Sequence, residues 1–570
     1  MTWRRLILTL FGSMLLAACS TSSLAVPQFN RSSLPAAPSQ FSSGSPVSVA
    51  ESVPIPEDIQ LVSWNVRQAK DGGTLVQLFT DPPTLDPHLT ADYISGSIVV
   101  EVFGGLVTLN PQLEIIPDLA ADWKISPDGQ IYTFTINPQA KFHSGKAVTA
   151  GDVGWSLARA TDPKTQSPVA AQYLGDIVGV PERLGGSLQP ASGIQVIDES
   201  TLQISIDAPK AYFLAKLTYP TGFVLDQDNV ESDPANWLRH PNGTGPFILA
   251  EYAVGETIIL TRNSAYHLGA PHLEQVTLVL SGGSAMIMYE NDEIHLAPVG
   301  LNDLSRVLDP ASELHSELRK FPPDFRVSYI GLNLDRPPLD DPKVRRALNL
   351  AIDRRTIAST VLQGLVVSSS GIIPPGFPSY NPNLPGYEYN PDLARQLLRE
   401  SMYGPDIESM PAMTLSIPGG FGAATSLDLE VILQAWAEVG IQTEIQQTSW
   451  PTFLEDLNVK RYQMFQSGWV ANYPDPESFL DVLFHSASSN NHTNYSNPQV
   501  DALLEQARVE PDQATRFQTY NRIERMILND APWVLLWSSG SRYTLIKPNV
   551  KDYYLTPLLL PKLRYVYFAD

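Results

Sequence analysis

The chain has one cysteine in 570 residues, Cys19, so no disulfide within it can hold the fold. Stability has to come from a buried core and hydrogen bonds. Basic residues are scarce too: 38 Lys and Arg stand against 60 Asp and Glu, a formal net charge of -22. That balance argues against nucleic acid or anionic lipid as a partner of the folded part and favours a neutral or cationic ligand. Nucleophile and phosphate motifs are missing. There is no G-x-S-x-G elbow and no H-E-x-x-H, and the Gly145-Lys146 pair lacks the Ser or Thr that completes a phosphate loop. The nine histidines are scattered with none at i,i+4 spacing, so neither a metal site nor a cofactor is expected. A carboxylate pair acting as in a glycosidase stays open, because sixty acids always include pairs that meet in space.

No long apolar run is present either. The N-terminus reads MTWRRLILTLFGSMLLAACS: Arg4 and Arg5, an apolar run over residues 6–16, then Leu16-Ala17-Ala18-Cys19. A run that short falls below the roughly 20 residues of a membrane span, and after two positive charges it reads as a secretory signal over residues 1–18. Leu, two small residues and Cys in that order resemble the bacterial lipoprotein signal, in which the cysteine becomes the lipidated first residue. Cys19 is therefore the expected lipidation site, and the chain is expected outside the cytoplasm, lipid-anchored to a bacterial membrane. Residues 20–54 hold 11 Ser and 5 Pro with only Arg31 and Glu51 charged. Such a stretch cannot offset its ordering entropy, so residues 19–70 are expected as a disordered tether with a reach on the order of 30 Å.

From about Asp71 the pattern turns globular, with length for two to four domains. Tyr132, Phe134 and Ile136 alternate with Thr133 and Thr135, as do Leu202, Ile204 and Ile206 with polar neighbours, and Val276, Leu278 and Leu280 recur at the same spacing; this is the period of half-buried strands. Asp341-Pro342 supplies an N-cap and a first-turn proline for a helix whose apolar face is Val344, Ala347, Leu348, Ala351 and Ile352, with Arg345, Arg346, Asn349 and Asp353 expected to face away. Asn390-Pro391 and Asn497-Pro498 repeat the device, and Thr149 with Asp152 marks a capping box. Strands and helices interleave to the end, so the fold class is α/β without an evident repeat.

Several segments, taken in order, carry a resemblance. They are PPTLDPH (82–88), EVFGGLVTLN (101–110), IPDLAADWKISPDGQIYTFTI (116–136), KFHSGKAVTAGDVGWSLARA (141–160) and GTGPF (243–247). YIGLNLDRPPLDDPKVRRALNLAIDR (329–354), GWVANYPDPESFL (468–480) and NPQVDALLEQA (497–507) follow. Together they resemble family 5 of the extracytoplasmic solute-binding proteins, the oligopeptide- and dipeptide-binding proteins of peptide-type ABC transporters, over about 500 residues. The resemblance implies a two-lobed periplasmic-binding-protein-like fold of type II, large cluster C, with an extra N-terminal subdomain and hinge strands. It implies lobe I over 71–327 with the subdomain at about 102–231, lobe II over 328–533, and a return to lobe I over 534–570. It also implies a monomeric receptor rather than an enzyme, its partners being a peptide or similar extended solute and an ABC permease. Oligosaccharides and nickel complexes are the runner-up ligands, and an exported carboxylate-pair hydrolase is the rival from another class.

The resemblance also suggests where ligand would lie. Tyr329, Gly331 and Asn333 are expected on a cleft-facing side of a strand whose other side carries Ile330, Leu332 and Leu334. Trp469 is expected as a cleft wall, and Asp81, Pro83 and Asp475 as further candidates, Asp475 between two prolines reading more as a rigid turn. In peptide-binding relatives the segment after Gly-Trp carries an aspartate that pairs with the ligand's α-amino group. Here that position is Asn472, which carries no charge.

Overall fold

The computed structural model describes residues 60–61, 70–404, 410–419, 426–560 and 562–569. Cys19 and the signal segment lie outside these residues, as does nearly all of the expected tether. Its last part differs from expectation: the strand Gln60–Leu61 pairs in parallel with Leu318–Phe321, whose edge amides and carbonyls thereby gain partners.

Three four-stranded sheets and one six-stranded sheet carry the chain. Thr74–Leu78, Gln275–Val279, Thr257–Arg262 and Phe247–Ala253 form one sheet, and its inward residues Leu75, Val276, Leu278 and Phe247 join the core that contains Phe103 and Trp237. Gln60–Leu61, Leu318–Phe321, Arg542–Ile546 and Leu296–Pro298 form a second. The third holds the alternating stretches: Ala120–Ile125, Ile131–Ile136, Thr201–Ser205 and Ile194–Val196. Tyr132, Phe134, Leu202 and Ile204 are buried against the helix Ala150–Ala160 and its neighbours. That helix starts with both bonds of the capping box, Thr149 accepting from the Asp152 amide and Asp152 from the Thr149 amide.

The six-stranded sheet runs in the order Val366–Ser368, Trp533–Ser539, Arg326–Leu332, Met464–Val470, Met413–Pro418, Thr443–Thr448. Apolar cores cover both faces, one with Tyr329, Phe465 and Trp533, the other with Ile330, Leu332 and Leu415. Gly331 is forced here by packing: a Cβ built on it would lie 2.1 Å from the Phe465 ring. In GTGPF, likewise, a Cβ on Gly243 or Gly245 would meet the carbonyls of Val102 and Glu101 at 2.0 and 2.5 Å, so the glycines let that turn press on a helix end. The expected breaks at 327/328 and 533/534 fall inside two adjacent strands, Arg326–Leu332 and Trp533–Ser539, which pair with each other.

The helix Pro342–Leu350 begins where Asp341 caps it, accepting from the Lys343 amide at 2.8 Å. Two of its residues expected to face away are interior. Arg345 donates to the carbonyls of Leu339 and Asp530, and Asn349 to those of Arg345 and Trp533. Their polar groups do the work of joining the helix to the strand Trp533–Ser539 and the helix Gln513–Asp530, a task that apolar periodicity cannot announce.

Candidate functional site

The segment 468–480 is built between two fixed elements. Trp469 ends the strand Met464–Val470 opposite Val327, and the Ala471 amide donates to the Phe325 carbonyl at 2.9 Å. The helix Glu477–Phe484 then begins after Pro476. Between them the backbone is tied down: the Glu477 amide donates to Asp475 Oδ1 (3.0 Å), and the Ser478 hydroxyl donates to the carbonyls of Asp475 (2.7 Å) and Tyr473 (3.3 Å). Half-buried Trp469 donates from Nε1 to the Ser478 carbonyl at 2.8 Å, bracing the strand end against the helix start. Asn472 is half-buried and has no hydrogen-bond partner among the described residues.

Tyr473 joins a different core from its neighbours Ala471 and Phe479. Its fully buried ring belongs to the core of the sheet that holds Tyr132 and Phe134, and it meets Tyr173 edge-on at 6.1 Å. Tyr173 in turn stacks on Tyr219 at 3.8 Å, nearly parallel. Charges cross at the same place. Glu477 lies 3.1 Å from Lys216 Nζ, while Asp176 holds Lys216 at 3.0 Å and Lys210 at 2.6 Å. Behind Glu477, Asp481 takes a two-pronged pair from Arg508 (2.6 and 2.8 Å), and Asp475 pairs with Arg516. The Tyr473 hydroxyl donates to Glu477, and Asn490 Nδ2 donates across to Gln172 Oε1 at 3.0 Å.

Burial governs these groups. It pushes the Asp475 carboxyl up to about 6, against the pull of Arg516, and pushes Glu477 up as well. Burial also opposes charge on Lys216, but Glu477 and Asp176 outweigh it and raise the ammonium above the usual lysine range. With a protonated lysine 3.1 Å away, Glu477 is held as the carboxylate of an ion pair.

The other residues named from sequence lie elsewhere. Tyr329 is 3% exposed and stacks on Trp533 at 3.5 Å, a contact of roughly 0.5–1.5 kcal/mol beyond its area. Asn333 is 1% exposed; its amide donates to the carbonyls of Lys460 and Tyr462, and its oxygen accepts from Asn494 and the Asp335 amide. Tyr329 is turned into the core because its strand is central in a sheet covered on both sides, where alternation no longer separates core from solvent; Asn333 follows the end of that strand and is taken up by these four partners. Asp81 accepts from the Tyr252 hydroxyl (2.6 Å) and the Gly255 amide (3.0 Å), clasping a hairpin, and Pro83 is exposed. Asp475 is spent on Arg516. The structure thus places Trp469, Asn472 and Asp475 on one segment, with Tyr329 buried in the core against which Trp469 packs, and leaves Asn333, Asp81 and Pro83 outside that segment.

Sequence reasoning passed over Tyr173, Lys216, Tyr473, Glu477 and Asp481. One signal was available: Glu477 and Asp481 sit at i,i+4 in an apolar helix, a repulsive pair that implies cations brought from elsewhere. Among the described residues no three His, Cys, Asp or Glu are grouped as metal ligands.

A sequence profile of the bacterial extracellular solute-binding proteins, family 5 (middle region), matches residues 114–491. The dipeptide-binding protein of Escherichia coli (strain K12) is 28% identical over 529 residues, which cover 88% of this chain and 95% of that protein. The probable deoxycholate-binding periplasmic protein YgiS of the same organism is 29% identical over 509 residues, 86% of this chain and 91% of that one. The solved structure of the Escherichia coli murein tripeptide binding protein MppA matches with a TM-score of 0.77 at 27% identity, covering 88% of this chain and 99% of that one. A profile spanning most of the folded part, with relatives and a structure matched over nearly their whole length, gives the conclusion that the chain belongs to the bacterial extracellular solute-binding proteins of family 5 and has their two-lobed α/β fold.

Proposed function

We propose that the chain is the solute receptor of an ABC importer, capturing a peptide or similar extended solute outside the cytoplasmic membrane and delivering it to the permease. One observation carries this reading. The wall 468–481 meets the elements holding Tyr173 and Lys216 through an aromatic contact and an ion pair, and we read this surface as the place where two lobes meet on closure. The paired strands Arg326–Leu332 and Trp533–Ser539 are where the chain passes between lobe I and lobe II, and they serve as the hinge. Trp469 and Asn472 are the residues we place against ligand. The receptor does no chemistry on its solute: Asp475, Glu477 and Asp481 are each held by a cation, unlike an acid and base kept free for a glycosidic bond. The name of YgiS adds support for a non-peptide solute as the second reading.

Native mass spectrometry of the purified protein tests the reading. A bound species whose mass matches a short peptide, released on denaturation, is the expected result. Steady conversion of added peptide to products would overturn it.

The same reading places a lipid on Cys19 after cleavage behind Ala18, with residues 20–54 as spacer. Membrane fractionation of Cys19→Ser is expected to move the protein from the membrane to the soluble fraction. Unchanged retention would contradict the anchor.

A further inference from the structure

The charged groups at the meeting of the two bodies balance among themselves. Asp475, Glu477 and Asp481 on the wall, with Asp176 opposite, make four acids, and Lys210, Lys216, Arg508 and Arg516 make four bases. Every one of the eight has a partner of opposite sign within 3.1 Å. Exposed Asp207 adds a second partner to Lys210. Four of the five pairs stay on one side, Asp176 holding both Lys210 and Lys216. The fifth, Lys216 with Glu477, joins the two sides, and both of its side chains are nearly buried. Asn472, the polar side chain left without a partner on this wall, is neutral.

We propose that Lys216 is a built-in cation that fixes specificity: it occupies the wall's one acid that has no cation on its own side, so the solute held beside Asn472 carries no positive charge at that end. The inference rests on the receptor reading above and narrows its solute to amine-blocked peptides or solutes without an amine. A cationic end would find no unpaired carboxylate there, and bringing it out of water uncompensated is costly. Removal of the lysine side chain reverses the preference. Glu477 then lacks a cation, while Asp176 keeps Lys210.

The test uses the full chain with Lys216→Ala, and ethylammonium chloride against sodium chloride at equal ionic strength, read by the thermal midpoint. Wild type should respond alike to both salts. Lys216→Ala should melt lower and regain at least half the loss with ethylammonium only, and Glu477→Gln should show no selective response. Equal responses of Lys216→Ala to the two salts, or the same selectivity in Glu477→Gln, overturn the proposal. If Lys216→Ala does not fold, Lys216→Met, which keeps much of the packing of the lysine stem and still leaves Glu477 without its cation, carries the question through peptide titration. That variant should bind free-amine trialanine relative to N-acetylated trialanine better than wild type does, because Glu477 is then an unpaired carboxylate; an unchanged ratio overturns the proposal. Should neither peptide bind wild type while the salt series behaves as expected, the peptide reading fails and the role of Lys216 stands.

Discussion

Arg516→Met should lower folding stability by about 3–5 kcal/mol at pH 7.5, the usual cost of removing one partner from a buried ion pair. Methionine keeps much of the packing of the arginine stem but gives up the guanidinium over the Phe517 and Tyr520 rings, so the pH dependence is what isolates Asp475. What remains is the Asp475 carboxylate, 8% exposed, at the turn before the helix Glu477–Phe484. The pH dependence follows from the direction of its shift. Burial already raises Asp475 from 3.8 to about 6 with arginine present, and without it the value rises further. A group with a raised folded value contributes stability that is fully present below its unfolded value and lost as pH rises through the folded one. The gap between variant and wild type is therefore largest once the carboxyl is ionised in both folded proteins and shrinks in acid, where it is neutral in both. Denaturant titrations at pH 7.5 and at pH 5 measure it, and a gap that is the same at both would show that Asp475 is not the cause.

Asn472→Asp should tighten binding of free-amine peptides by about tenfold or more, in line with a hydrogen bond to a charged group worth roughly 1.5–3 kcal/mol. N-acetylated peptides of the same sequence should change little or weaken, because a neutral end gives the new carboxylate no partner as closure strips its water. Isothermal titration with matched peptides decides the matter. Equal responses would mean that position 472 does not face the amine end, and that the wall lies elsewhere in the cleft.

The elements that sequence reasoning found are those whose chemistry is local. Caps at Thr149, Asp341, Asn390 and Asn497 were legible because the residue that caps and the amides it binds are neighbours in the chain. The alternating strands around Phe134 and Ile204 were legible because one face is buried and the other is not. Tyr329 was misplaced because that contrast vanishes in a strand covered on both sides, where its ring found Trp533 some two hundred residues away. Trp469 and Asn472 were reached only through the resemblance of GWVANYPDPESFL. The partners that give that loop its meaning, Lys216 and Tyr173, come from a stretch with no motif, and only folding brings them to Glu477 and Tyr473.

The central claim is closure of two lobes on a solute, and small-angle scattering with and without ligand tests it most directly. A short peptide that raises the thermal midpoint with concentration, as binding to the native state alone requires, should also reduce the radius of gyration, with the Lys216–Glu477 contact made in the compact form. A peptide that raises the midpoint while the radius of gyration stays constant would contradict the account, since the wall 468–481 would then be a fixed interface and not the face of a closing cleft.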